Sequence, residues 1–249
     1  MTMPPQIAVV VLALVVIACC SSCGLKLKTS TDYLISGNEY FKAGDYKHAE
    51  TEYQEALKLE PRNATAQNNL GVILSEEGKY DEAIAILRDA IKVDPNNAIA
   101  HYVLSSALAK KGLYDEALFE GVKATQLDPS EPQAHKSLGE AALGKGDLPL
   151  AITSFRDAIR LDPDNDGHHH RLAVALGRTG DWEGGIAEDR KALELNQDNT
   201  LARISLAVAL EKKGEVTDAV GELQKVLEKE PTNVTAKQFL ATFRDEPKR

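Results

Sequence analysis

Cysteine is nearly missing from this chain: none occurs beyond residue 23, and the three present, Cys19, Cys20 and Cys23, crowd together near the start. A disulfide framework and a thiol nucleophile are thereby excluded from the folded body. Aromatic residues make up only 5% of the 249 residues, too few to fill one large mixed core, so small residues must carry much of the packing. Positive charge is not in excess either. The formal net charge is −9 with both signs interspersed, which leaves no basic stripe for phosphates and argues against a nucleic-acid partner. Also missing are a glycine-rich phosphate loop after a strand, a nucleophile elbow, an HExxH helix and spaced Cys/His ligands. The chain is therefore expected to be non-enzymatic, with no cofactor, no metal and no small-molecule substrate.

Residues Ile7 to Ala18 form an apolar run too short to span a bilayer comfortably and of signal-peptide length. The run Val16-Ile17-Ala18-Cys19 resembles a bacterial lipobox, which implies a signal peptide over 1–18, lipidation at Cys19 and a short tether over 19–29. Cys23 lacks the branched apolar residue three positions upstream and is the poorer match. Met1 to Gln6 carries no Lys or Arg, unlike most export signals. The alternatives are an ordinary secretory signal or an uncleaved anchor helix, the latter with the body on the cytoplasmic side of the inner membrane. A lipid-anchored body would lie close to the membrane, in the bacterial cell envelope, since about ten residues of tether reach ~35 Å at most. By resemblance, the residue after Cys19 not being aspartate implies the outer membrane, facing the periplasm, if the cell is Gram-negative.

What is abundant is a period. Prolines stand at 61, 95, 129, 163 and 231, with Gln197 in the vacant slot, and glycines at 44, 78, 112, 146, 180 and 214, both series stepping by thirty-four. One unit shows the logic. Ala66, Leu70, Ile73 and Leu74 recur at helical spacing, Gly78 permits the left-handed turn that ends this first helix, and Asp81 and Glu82 suit the positive end of a second. Ala83, Ile86, Leu87, Ala90 and Ile91 form the buried face of that second helix, and Asp94-Pro95 closes the unit. Asn63, Asn97, Asn165, Asn199 and Asn233 recur where the next first helix needs a cap. Gly184-Gly185 and Gln197 predict a softer joint in the fifth unit.

The pattern resembles the tetratricopeptide repeat. It has a small residue in each first helix (Gly37, Gly71, Ser105, Gly139, Ala173, Ala207), an early alanine in each second (Ala49, Ala83, Ala117, Ala151, Ala219, with Gly185 the exception), and a later one seven on, with Val226 the exception. The resemblance implies an all-α fold, a right-handed α-solenoid. Its six repeats would run 30–63, 64–97, 98–131, 132–165, 166–199 and 200–233, with a capping helix at 234–244 and a disordered tail at 245–249. In this family the first helices line a concave groove that holds protein or peptide partners, so the chain is expected to be a scaffold or adaptor. Groove positions by phase include Asn38, Asn69, Val72, Tyr102, Lys136, His170, Arg171 and Arg178. Asn38 and Asn69 match the two asparagines with which some members clamp a terminal carboxylate. Leu34, Ile99 and Val103 stand where that clamp has basic residues, so apolar anchoring with an acidic group near Lys136, Arg171 and Arg178 is expected instead.

Histidine offers two readings. His168, His169 and His170 are consecutive, so they point about 100° apart on a helix and cannot close on one ion. His101, His135 and His169 share one phase, where the family places a bulky residue between helices. Core packing is the expectation, a metal site the alternative.

Overall fold

A computed structural model of the chain describes residues 27–245. The expected signal segment, Cys19, the first part of the tether and the tail beyond Asp245 lie outside these residues. Thirteen helices follow one another among the described residues: α1 (Ser30–Lys42), α2 (Tyr46–Leu59), α3 (Ala64–Glu76), α4 (Tyr80–Val93), α5 (Ala98–Lys110), α6 (Tyr114–Leu127), α7 (Pro132–Lys145), α8 (Leu148–Leu161), α9 (Asp166–Thr179), α10 (Trp182–Leu195), α11 (Thr200–Lys212), α12 (Val216–Lys229) and α13 (Val234–Asp245). They pair into six hairpins stacked in order, with α13 against the last, and form an α-solenoid. No described helix is long and apolar enough to cross a membrane.

The punctuation acts as its chemistry requires. All six glycines at the hairpin turns have positive φ, from 76° at Gly44 to 88° at Gly146, a conformation that a Cβ would strain. Asn63, Asn97, Asn199 and Asn233 accept a hydrogen bond from the backbone N–H three residues on. Asn165 does not: its amide donates to Asp162 at 3.0 Å instead. Pro149 falls in the first turn of α8, where its missing donor costs nothing. α10 runs unbroken through Gly184-Gly185, so the expected softness of repeat five does not show as a kink. A Cβ at Gly184 would stand 2.5 Å from the Asp181 carboxylate that caps this helix.

Each hairpin is packed by a small residue facing a residue sixteen positions on. A Cβ built at Gly37, Gly71 or Gly139 would come within 2.5 to 2.6 Å of Tyr53, Leu87 or Phe155 respectively, each almost fully buried. Repeat three reverses the sizes, with Ser105 facing Gly121; repeat six uses Ala207 and Leu223. At least one member of each pair is small, which lets the helices approach closely with few aromatics. Repeat five differs in polarity. Asp189, fully buried, occupies the column of Tyr53, Leu87, Phe155 and Leu223.

Candidate partner-binding groove

Two adjoining clefts lie along the first helices of the solenoid. One, of about 280 Å³, is formed largely by Asn38, Phe41, Asn69, Val72, Ile99 and Tyr102 from α1, α3 and α5, with Lys42 also lining it and Tyr53 of α2 at its base. The other, of about 470 Å³, continues from it through α7 to α9 and is lined by Glu76, Ser106, Lys110, Lys136, Glu140 and Arg171 among others. Val72 and Tyr102 border both, so the two form one groove that changes from apolar to charged along its length.

At the apolar end Tyr53 donates to Asn38 Oδ1 at 2.7 Å, and Asn69 Nδ2 donates to the same oxygen at 2.9 Å. That oxygen is thus saturated, whereas the Asn38 amide nitrogen and Asn69 Oδ1 retain bonding capacity suited to a peptide backbone. Burial raises the Tyr53 pKa, and burial together with Glu131 pushes that of Tyr102 up to about 12, so both phenols stay neutral donors. Asn68, next along α3, is nearly buried with its Oδ1 unpartnered. At the charged end Arg171 Nε lies 3.1 Å from Glu140, which also accepts from Ser106 at 3.3 Å.

Six of the residues expected in the groove, Asn38, Asn69, Val72, Tyr102, Lys136 and Arg171, line these clefts. Two do not. His170 is buried and its Nδ1 lies 3.0 Å from Asp189 Oδ1, while Arg178 donates from Nη1 to the Leu143 carbonyl at 2.9 Å, tying α9 to α7. His170 turns inward because a buried carboxylate claims its ring nitrogen, whereas Arg178, itself exposed, lies over the end of α7 on the Leu143 carbonyl, which also accepts the Gly146 N–H at 3.2 Å.

In the histidine column His101 and His169 are buried and His135 half-buried, and the role of all three is polar. His101 Nε2 meets the Pro95 carbonyl at 3.1 Å and its Nδ1 meets Glu120 at 2.5 Å; His169 repeats this with Pro163 and Glu188. His135 keeps the loop contact to Pro129. Gln67 and Arg203, at the same phase, bond the Pro61 and Gln197 carbonyls. Five successive side chains therefore clasp the inter-repeat loop six residues back, satisfying a carbonyl that helix geometry leaves open. Burial opposes charge on His101, but the Glu120 hydrogen bond and the Pro95 carbonyl outweigh it and raise its pKa. His168 stands instead where repeats two, three, four and six have alanine and repeat one has Asp32; it is buried, neither ring nitrogen has a hydrogen bond, Nε2 lies 3.8 Å from Asp162, and burial followed by Lys136 lowers its pKa. Among the described residues no group of three or more His, Cys, Asp or Glu is placed to hold a metal.

Profiles of the TPR repeat match residues 37–78, and tetratricopeptide repeat profiles match 74–141, 122–166 and 170–234. The chain belongs to the tetratricopeptide repeat family. Its solenoid is similar to a chain of the APC/C hetero-tetramer Cut9-Hcn1, with TM-score 0.79 and 18% identity over 86% of this chain, though it spans only 43% of that one. It is also similar to Pseudomonas aeruginosa PilF, with TM-score 0.70 and 20% identity over 86% of this chain and 97% of the other. MamA from Desulfovibrio magneticus RS-1 matches with TM-score 0.57 and 23% identity over 68% of this chain and 96% of that. At these identities the likeness concerns the fold of the tetratricopeptide repeat body alone. No curated protein sequence matches the chain.

Proposed function

We propose that this tetratricopeptide repeat protein is a non-catalytic adaptor that holds a segment of another protein in its groove while a lipid at Cys19 keeps it at the bacterial cell envelope. The observation that carries the first part is the continuity of the two clefts through Val72 and Tyr102. An extended segment laid there would set apolar side chains on Val72, Ile99 and Tyr102 and its backbone against the Asn38 and Asn69 amides. Support for the second part is the Val16-Ile17-Ala18-Cys19 run. Together they fit assembly of an envelope machine such as a pilus, a secretion system or an outer-membrane complex.

Photocrosslinking from position 72 or 102 in cells tests the groove. Adducts to a defined protein, lost on Tyr102→Ala, are expected; adducts only from convex positions would end this reading. Intact mass and membrane fractionation of wild type beside Cys19→Ala test the anchor. A mature acylated species absent from the variant is expected, whereas a full-length membrane species indifferent to the change would favour an uncleaved helix with the repeats in the cytoplasm.

A further inference from the structure

The charged half of the groove has a sign opposite to that of the whole protein. Three cations, Lys110, Lys136 and Arg171, line this cleft against two carboxylates, Glu76 and Glu140, in a chain of net charge −9. Glu140 is already engaged by Arg171 and Ser106. Neither the Lys110 nor the Lys136 ammonium lies within 4.0 Å of a described carboxylate, although most described lysines outside the groove have found one: Lys111 bonds Asp81 at 2.9 Å and Lys213 bonds Glu183 at 3.0 Å. Two ammonium groups without an ion-pair partner, against one unpaired carboxylate, Glu76, thus leave a net positive concavity that shares its wall with the apolar cleft. Low-dielectric walls concentrate their field on whatever enters.

From this we infer that the partner segment is an extended peptide carrying a bulky apolar side chain and, further along, an acidic one, the first seated beside Phe41, Val72 and Ile99 and the second between Lys110 and Lys136. The assignment rests on the groove being the partner site. Helices in the stack lie about 8–10 Å apart, so the two positions are separated by one to two helix spacings, roughly 10–20 Å. An extended chain covers that in about three to six residues.

The test is selection of displayed random dodecapeptides on the full-length protein, followed by titration of the enriched peptides against variants. Expected are sequences with a large apolar residue and an Asp or Glu about three to six positions away. Their affinity should fall at least ~10-fold on Lys136→Glu, by a similar factor on replacing the acid with its amide, and steeply with added salt. Both lysines are at the surface, and unchanged circular dichroism would separate loss of charge from loss of fold. Enriched peptides that lack acids, or that bind Lys110→Glu/Lys136→Glu as well as wild type while Tyr102→Ala abolishes binding, overturn the acidic specificity and leave the groove reading intact. Peptides indifferent to all three substitutions, or no enrichment at all, overturn both.

Discussion

Gly139→Ala probes the size pairing that holds each hairpin. The added methyl would stand 2.6, 2.8 and 2.9 Å from Cε1, Cδ1 and Cζ of Phe155, whose ring is fully buried. Ordinary carbon contacts lie at about 3.5–4.0 Å, so the ring or the helix must retreat by roughly 1 Å. Overpacking of this kind costs ~1–3 kcal/mol. Against it stands the ~1 kcal/mol by which alanine favours a helix interior over glycine. Because the overlap involves three atoms of a rigid ring, the upper part of that range applies, and a net loss of ~1–2 kcal/mol is expected. Phe155→Leu alone should also destabilise, by ~1–2 kcal/mol of lost ring contact. The double variant recreates the Ala207–Leu223 pair of repeat six, both of whose members are fully buried, and should lose less than the two single changes together. Urea unfolding followed by circular dichroism gives the four midpoints of the cycle. A Gly139→Ala protein as stable as wild type, or strictly additive effects, would refute the pairing argument.

His101→Leu leaves the Pro95 carbonyl and Glu120 without their donor and should cost ~1–3 kcal/mol, whereas His101→Gln, copying Gln67, should keep the loop clasp and cost less. The raised pKa of His101 means its contribution is complete below the ordinary value of 6.5 and is lost as pH rises through the folded value; the wild-type advantage over His101→Gln should therefore shrink toward alkaline pH in chemical denaturation. In repeat five, His170→Ile/Asp189→Leu copies Ile204 and Leu223 of repeat six. It should stabilise by ~1–4 kcal/mol at neutral pH, because a buried carboxylate held by one polar partner is commonly outdone by apolar packing. Burial foremost raises the Asp189 pKa, so the carboxyl's cost is smallest below its unfolded value and grows as pH rises through the folded one. A thermal melt showing the double variant weaker than wild type at neutral pH would reject this account. Gly180→Ala, at φ 84°, should lose ~1–2 kcal/mol through backbone strain alone, with no contact changed, which a melt beside an exposed mid-helix substitution would check.

The fold was legible because a thirty-four-residue period repeats one local solution six times. Helix ends, Asn caps, left-handed glycines and buried stripes are short-range consequences of residue type, and they could be assigned from Gly78, Asn97 or Ala83 without coordinates. The phase also picked out six residues that line the clefts, since position on a first helix decides which face a side chain occupies. Asp189 was legible in principle: its column holds Tyr53, Leu87, Phe155 and Leu223, and a carboxylate there had to be buried. What phase could not supply was the choice each polar side chain makes among partners. His170 and Arg178 share the phase of groove residues, yet a buried carboxylate on α10 takes the first inward and the Leu143 carbonyl at the end of α7 holds the second outside the clefts. The histidine column likewise reads as packing until the loop carbonyls and Glu120 and Glu188 are seen beside it. Those partners lie on other elements, and only the stacking of one hairpin on the next brings them within hydrogen-bonding distance.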